Sequence, residues 1–312
     1  MSSAIQDVIG TQSRPRRRGL ISHKASKRLA PLLYVTPATL LFCLLMLFPM
    51  VMVVRYSLMD GAITKKDPAF AGLQNYREVF EDPVFWQSVW QTIYFAGMSV
   101  IFHLLIGLAF ALLLNSERIN PVVRSILRVL FILPWLFTAV IIAVIWRLLL
   151  DPNGVINSVL MALHIVGFKV EWFASTKTAL HAVTFVNIWA GYPLYMVSLL
   201  AGLQGIPKDL YEAAGIDGAN EWHKFRYITI PQLMPIIISI ALLDFIWTMQ
   251  VFPLVWMTTG GGPIHATEML STYTYKLAFR EYELSLASAS AILILLLSMS
   301  MTYFYIKHQK AR

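Results

Sequence analysis

The 312-residue sequence is poor in charged residues and nearly devoid of cysteine. Asp, Glu, Lys and Arg make up 13% of it, whereas they make up about 25% of an ordinary soluble domain. The single cysteine, Cys43, excludes an internal disulfide, a cysteine-ligated zinc site and a dithiol redox pair. With 57% hydrophobic residues and a mean hydropathy of +0.63, the composition excludes a water-soluble globule.

The absence of two further motifs limits the functions that the chain can have. The sequence lacks the G-x-x-x-x-G-K-[ST] loop that cradles ATP phosphates, and its histidines show no metal-ligand spacing. We therefore expect the chain itself to bind no nucleotide, other cofactor or metal. The net charge of +8 does not indicate nucleic acid either, because seven of the 25 Lys and Arg lie between Arg14 and Arg28, just before the first apolar run.

Six stretches are long and apolar enough to cross a lipid bilayer. A helix rises about 1.5 Å per residue, so crossing about 30 Å of hydrocarbon takes roughly 20 residues. The predicted spans are 29–54, 88–114, 129–146, 178–203, 232–256 and 284–306. Prolines within them are compatible with helices in a bundle, and the continuous runs exclude the alternating strands of a barrel. The predicted fold class is all-α, a polytopic membrane protein with six transmembrane helices.

The distribution of Lys and Arg predicts the orientation and the domain limits. With the N-terminus inside, the cytoplasmic segments hold sixteen of these residues and the opposite loops hold seven. We therefore predict a multi-pass protein of the bacterial cytoplasmic membrane with both termini in the cytoplasm. Residues 1–29 form a basic tail, 30–306 the transmembrane domain and 307–312 the C-terminus. The first span is expected to be a retained anchor, because no small-residue cleavage site follows it.

The cytoplasmic loop 204–231 is longer than a simple turn. A short helix from about 207 to 216 would place Leu210, Ala213 and Ala214 on one face, which is shallow enough for another protein surface to approach closely. The alternative is an interfacial helix lying on lipid headgroups, which the four acidic residues of the loop disfavour.

The rest of this loop predicts a compact helix–turn–helix. Gly218 permits a backbone turn that other residues resist, and Asn220 can cap a second short helix. Pro231 is expected to end that second helix at the membrane.

The loop resembles a known signature, the EAA loop of the membrane subunits of binding-protein-dependent ABC importers. The pattern EAA-x3-G-x9-I-x-L-P is matched at Glu212-Ala213-Ala214, Gly218, Ile228 and Pro231, with Ile230 in place of the leucine. Two further segments, Trp189–Pro193 (WAGYP) and Thr259–Pro263 (TGGGP), resemble carbohydrate-type permeases of the maltose, lactose and glycerol-phosphate group. The likeness covers about residues 30 to 306.

The resemblance implies a type I importer fold and a set of partners. These are two cytoplasmic ATPase subunits that carry ATP-Mg, a second related permease subunit and an extracytoplasmic substrate-binding protein. Helix 207–217 would be a coupling helix seated in a cleft of the ATPase, with Glu212 paired to a basic residue there. The residues it assigns to ATPase coupling are Leu210, Glu212, Ala213, Ala214, Asp217 and Gly218.

A carbohydrate site needs hydrogen-bonding groups beside flat apolar surfaces. The fourth and fifth spans supply such side chains, among them Asn187, Trp189, Tyr192, Trp247, Thr248 and Gln250. Aligning the sequence with maltose-type permeases implies a substrate site formed by Asn187, Gly191, Asp244, Trp247 and Thr248. Leu194 and Val251 are apolar where the maltose type has polar or aromatic groups, so the substrate need not be maltose.

Asp244 is an acidic residue in the middle of an apolar span. A carboxylate there costs about 2.5–3.5 kcal/mol on insertion scales and indicates a function by default. It could accept hydrogen bonds from substrate hydroxyls, pair with a cation of the partner subunit, be protonated and structural, or relay protons. His103 in the second span is expected to be a packed or hydrogen-bonded histidine rather than a metal ligand.

The predicted function is therefore that of a membrane subunit of an ATP-driven importer for a sugar, oligosaccharide or polyol, and not of an enzyme. An ion-coupled secondary carrier is the main alternative, but it would show inverted repeats and several intramembrane ionisable groups. A membrane-embedded enzyme would need a convergent acid, base or nucleophile set, which the spans lack. A non-transporting scaffold can be separated only by assay.

Overall fold

The computed structural model describes residues 34–62 and 65–310, which are mostly helical. Two short strands, β1 (Met59–Asp60) and β2 (Ala69–Phe70), form an antiparallel pair with Met59 opposite Phe70. The predicted all-α class is confirmed. The basic tail predicted at 1–29 lies outside the described residues.

Twelve helices occur in the described part of the chain. In chain order they are α1 (Tyr34–Ser57), α2 (Gln74–Glu81), α3 (Pro83–Asn115), α4 (Pro121–Ile132, extended by a 3-10 turn Leu133–Leu136), α5 (Ala139–Leu149), α6 (Val155–Ala162), α7 (Ala179–Gln204), α8 (Lys208–Ile216), α9 (Glu221–Met249), α10 (Pro253–Thr258), α11 (Leu270–Phe279) and α12 (Leu284–Lys310). The described residues fall into two units that are divided between Met52 and Val53, and the packing described below lies in the second.

Within residues 34–62 and 65–310, five helices are long and apolar enough to cross a membrane, and the number rises to six if a bent pair counts as one span. These five are α1, α3, α7, α9 and the first twenty residues of α12, Leu284–Tyr303. They cover the predicted first, second, fourth, fifth and sixth spans, so those spans are confirmed as helices.

The predicted third span, 129–146, is a bent pair of helices rather than one continuous helix. The region consists of α4 and α5, which meet at an angle of 101°. Pro134 has no N–H to continue a helix, and Phe137 is extended with φ −88° and ψ 145°. Thr138 then accepts a hydrogen bond from the Ile141 N–H and so caps a new helix. The sequence therefore contains a signal that ends one helix and a signal that begins another inside one apolar run.

Two predicted helix ends are also corrected. The fifth span was predicted over 232–256, but α9 ends at Met249 and Pro253 begins the separate α10. Pro231 does not end the preceding short helix, because α9 runs through it from Glu221 to Met249. Pro231 follows a π turn, Phe225–Thr229, and takes an early position of the regular helix after it, where a proline is tolerated.

The most extensive helix–helix contact in the second unit joins α3 to α7. Tyr195, Met196 and Leu199 of α7 are fully buried against the C-terminal half of α3. Gly107 of α3 allows this approach, since a Cβ there would lie 2.4 Å from the Tyr195 Cβ and 2.9 Å from the Met196 backbone nitrogen. The close approach brings the polar residues of the two helices together.

We expect Gly107→Ala to lower the free energy of unfolding by about 1–3 kcal/mol, because a methyl group forced into packed backbone must displace one helix. Gly97→Ala is the matched control on the same helix, since no atom lies within 4 Å of a Cβ at that position. The measurement is the midpoint of heat denaturation of the detergent-extracted chain. Equal midpoints for the two variants would contradict the close contact.

Candidate functional site

The EAA loop is a helix–turn–helix fastened to the ends of the long helices. Tyr211 of α8 lies 2.9 Å from the Thr229 hydroxyl of α9, and it packs on the cluster formed by α3, α7 and α9. Lys208 lies 2.8 Å from Glu117, which follows α3. That exposed ion pair raises the pKa of Lys208 and lowers the pKa of Glu117, mainly through the hydrogen bond between them. The first helix is therefore held at several points.

The other side of the loop is exposed. Of the six residues predicted to couple to an ATPase, Ala214 is half-buried and the other five, Leu210, Glu212, Ala213, Asp217 and Gly218, are exposed. Large apolar side chains accompany them: Ile216 is 89% exposed and Trp222 is 67% exposed. Glu212 has no ion-pair partner among residues 34–62 and 65–310. The loop thus presents small and apolar groups together with an unpaired carboxylate.

The turn between the two helices depends on Gly218. Its φ is +78°, a left-handed conformation that glycine adopts without strain. Asn220 follows and accepts a hydrogen bond from the His223 N–H at 2.9 Å, so its predicted role as a helix cap is confirmed. The first helix begins at Lys208, one residue later than predicted, with Pro207 as its N-terminal cap.

A cluster of buried polar residues connects α3, α7 and α9. We call it the His–Asp cluster: His103, Asn187, Tyr195, Asp244 and Thr248. The Asp244 Oδ2 lies 2.8 Å from His103 Nδ1 and accepts a hydrogen bond from the Tyr195 hydroxyl at 3.0 Å. Thr248 donates to the Asp244 Oδ1 at 3.1 Å. His103 is 1% exposed and Asp244 7%. The expectation that His103 is a hydrogen-bonded histidine is confirmed.

The predicted substrate residues divide into two groups around this cluster. Asn187, Gly191, Asp244 and Thr248 make contacts within the chain. The Asn187 side chain donates to the Ser99 hydroxyl at 2.9 Å, and Gly191 lies against the His103 ring. The fifth, Trp247, is 59% exposed. The structure therefore brings Asn187, Gly191, Asp244 and Thr248 together around His103, and it leaves the Trp247 side chain exposed.

The TGGGP loop folds around a buried ion pair. Glu268 is fully buried and contacts the ammonium of Lys276, the Thr272 hydroxyl at 2.7 Å and His265 Nδ1 at 3.1 Å. Gly261 has φ +87°, and a Cβ there would lie 2.6 Å from the Glu268 Oε2. The glycines thus let the loop close over the carboxylate.

Hydrogen bonds of Asp82 join α11 to the start of α3. Asp82 accepts a hydrogen bond from the Val84 N–H, which caps α3, and another from the Tyr273 hydroxyl at 2.7 Å. Burial and then the bond to Asp82 raise the pKa of Tyr273. The phenol therefore remains a hydrogen-bond donor at neutral pH.

Residues 103–310 match the family model described as "Binding-protein-dependent transport system inner membrane component". The chain belongs to this family of permeases. The match begins at His103 and includes the EAA loop, the whole of α7 to α12 and the TGGGP loop.

Curated relatives cover most of the permease. It is 38% identical over 216 residues to the "Trehalose/maltose transport system permease protein MalF" of Thermococcus litoralis. The aligned residues cover 69% of this chain and 70% of the relative. It is 35% identical over 251 residues to the "Sulfoquinovosyl glycerol transport system permease protein SmoG" of Agrobacterium fabrum, covering 80% of each. The "Inner membrane ABC transporter permease protein YcjO" of Escherichia coli is 32% identical over 252 residues, covering 80% of this chain and 83% of the relative.

The fold of the permease is shared with a solved importer. A chain of a bacterial ABC transporter "involved in the import of the acidic polysaccharide alginate" matches it with a TM-score of 0.79. The match covers 92% of this chain and 98% of the other at 22% sequence identity. The permease is thus an inner membrane transport component with the type I importer fold.

Sequence reasoning missed the partner of Asp244. Asp244 and His103 are 141 residues apart, and no local pattern relates them. The available signal was their isolation, because each is a lone titratable residue in the middle of an otherwise apolar span. Two such residues in one bundle are expected to pair, since a buried charge is costly without a partner.

Proposed function

We propose that the permease is a membrane subunit of an ATP-driven importer for a sugar, oligosaccharide or polyol. It would form half of the translocation pathway together with a second, related permease subunit. Three similarities support the substrate class: relatives named for trehalose and maltose and for sulfoquinovosyl glycerol, and a shared fold with an alginate importer. An extracytoplasmic binding protein would deliver the substrate, as the family description implies.

The energy would come from two ATPase subunits, each bound to one permease, which hold the ATP-Mg that this chain has no loop to bind. The observation that carries this proposal is the EAA loop, which is anchored by Tyr211 and exposes Leu210, Glu212 and Ala213. A surface of small side chains allows close approach, and Glu212 would pair with a basic residue of the ATPase. Both termini and this loop would lie in the cytoplasm, which agrees with the excess of Lys and Arg there.

The substrate would pass along the region of Asn187, Gly191, Asp244, Trp247 and Thr248. Trp247 is the exposed member, and an indole face is suited to stacking on the apolar face of a sugar ring. The other four would form the wall behind it. This division of roles follows from their contacts within the chain, which occupy the Asn187 amide and the Asp244 carboxylate.

We expect Trp247→Ala to raise the KM of sugar uptake about tenfold, because loss of one aromatic surface removes about 1 kcal/mol or more of binding. Trp90→Ala is the matched control, since Trp90 is 67% exposed and lies near the start of α3, outside the predicted substrate residues. Initial uptake rates over a range of sugar concentrations measure the effect. An unchanged KM for Trp247→Ala would remove this residue from the pathway.

The experiment that tests the function is a comparison of cells with and without this chain. The chain is deleted, and uptake of a panel of radiolabelled sugars, polyols, amino acids and inorganic ions is measured. We expect at least one carbohydrate to lose high-affinity uptake and to regain it when the chain is restored. Normal uptake of every carbohydrate in the panel, with loss of an amino acid or an ion instead, would contradict the proposed substrate class.

A further inference from the structure

The hydrogen bonds of His103 determine how many protons its pair with Asp244 holds. The Nε2 of His103 lies 3.0 Å from the backbone carbonyl oxygen of Asn187. A carbonyl oxygen can only accept a hydrogen bond, so Nε2 must carry a hydrogen. The proton of the neutral imidazole is therefore already placed on Nε2.

The contact between His103 Nδ1 and Asp244 Oδ2, at 2.8 Å, needs a second hydrogen. If this hydrogen is on Nδ1, the pair is an imidazolium and a carboxylate. If it is on the carboxyl group, the pair is a neutral imidazole and a carboxylic acid. The total charge is zero in both forms. An acidic residue in an apolar span is thus neutralised inside the chain, with no cation from a partner subunit.

Gly191 makes this geometry possible. It lies four residues after Asn187 on α7, so it is next to the carbonyl that His103 reaches. A Cβ at Gly191 would lie 2.3 Å from both Cε1 and Nε2 of the ring. The residue that aligns with a substrate position of the maltose type therefore serves here to admit the histidine.

The carboxylate of Asp244 is already supplied with donors. His103, Tyr195 and Thr248 contact its two oxygens from three helices. Among residues 34–62 and 65–310 no Lys or Arg forms an ion pair with it. The exposed Trp247 lies three residues further along α9, nearly one helical turn away. The cluster consequently fixes the helix that carries Trp247.

We propose that His103 and Asp244 hold one proton between them as a neutral pair, and that Asp244 is a positioning residue rather than a substrate ligand. The pair joins α3 to α9 and so determines the position of Trp247 on α9. This inference rests on the proposed function, because sugar uptake is its main readout.

Three variants test the pair. In Asp244→Asn the amide can donate to Nδ1 of a neutral His103 and to the Tyr195 oxygen, and its own oxygen can still accept from Thr248, so we expect the heat-denaturation midpoint to stay close to the native value. In His103→Gln a side-chain donor remains but the proton is lost, which leaves the carboxylate unpaired. We expect the maximal rate to fall about tenfold or more. The double variant His103→Gln/Asp244→Asn has no charge to compensate, and its maximal rate should recover most of that loss.

A substrate ligand would give a different pattern. If Asp244 binds the sugar, Asp244→Asn raises KM by tenfold or more and the double variant is no better than His103→Gln; either result overturns the proposal. A second readout needs no substrate: the heat-denaturation midpoint of the detergent-extracted chain should fall in His103→Gln and recover in the double variant. Failure of the proposed function would appear as absent carbohydrate uptake in the native protein, while the order of these midpoints would still confirm or overturn the pair.

Discussion

Replacing Ala213 with aspartate should abolish uptake while the chain still accumulates in the membrane in normal amount. Ala213 is exposed on α8, so a new carboxylate there is solvated and costs the isolated chain little. In the assembled importer the same carboxylate would be buried against the ATPase without a partner. An uncompensated buried charge costs about 3–5 kcal/mol, which corresponds to a loss of more than about a hundredfold in ATPase binding.

The measurement is co-purification of the ATPase with the tagged permease, together with the uptake rate. Ala162→Asp is the matched control, because Ala162 is also exposed on a helix but lies in α6, far along the chain from the EAA loop. We expect the control to retain the ATPase and to transport normally. If Ala213→Asp retains the ATPase as well as the native chain does, the EAA loop is not the docking surface.

Glu268→Gln should destabilise the permease more than any surface substitution. Glu268 is fully buried, and the Lys276 side chain that contacts it is only 14% exposed. Neutralising the carboxylate leaves a buried ammonium without its counter-charge, so we expect unfolding to become easier by about 3–5 kcal/mol. The expected signs are a lower heat-denaturation midpoint and less protein in the membrane.

The double variant Glu268→Gln/Lys276→Met separates loss of the pair from a general disturbance of the TGGGP loop. Removing both charges eliminates the unpaired ammonium, so the double variant should be more stable than Glu268→Gln alone. A single variant as stable as the native protein would show that the pair is not charged in the folded state.

The sequence predicted the helical class and most of the spans, because apolar runs of about 20 residues are a local signal. The break in the third span also has local causes, Pro134 and the capping Thr138. It was missed because the spans were predicted from stretches without charged residues, and neither residue is charged. At Pro231 the error was the reverse, because a helix end was predicted where the helix α9 continues. A π turn directly before Pro231 shifts the hydrogen-bond register of the helix, and no residue pattern predicts such a turn.

The candidate site shows the same division between local and long-range information. The EAA loop was predictable because its helix, its glycine turn and its Asn220 cap depend on neighbours in sequence. The pairing of His103 with Asp244 depends on how α3 and α9 meet, which the sequence does not state. Asp244 therefore suggested several roles in the sequence, and the contacts within the chain favour one of them.

The central proposal is that this chain does not power transport by itself and is driven through the EAA loop by an ATPase. The most direct measurement is uphill sugar uptake into proteoliposomes that contain the permease pair with its binding protein, with and without the ATPase subunits and ATP. We expect accumulation only when both ATPase and ATP are present, with vanadate inhibiting it and uncouplers leaving it unchanged. Accumulation driven by an ion gradient in the absence of any ATPase would contradict the account.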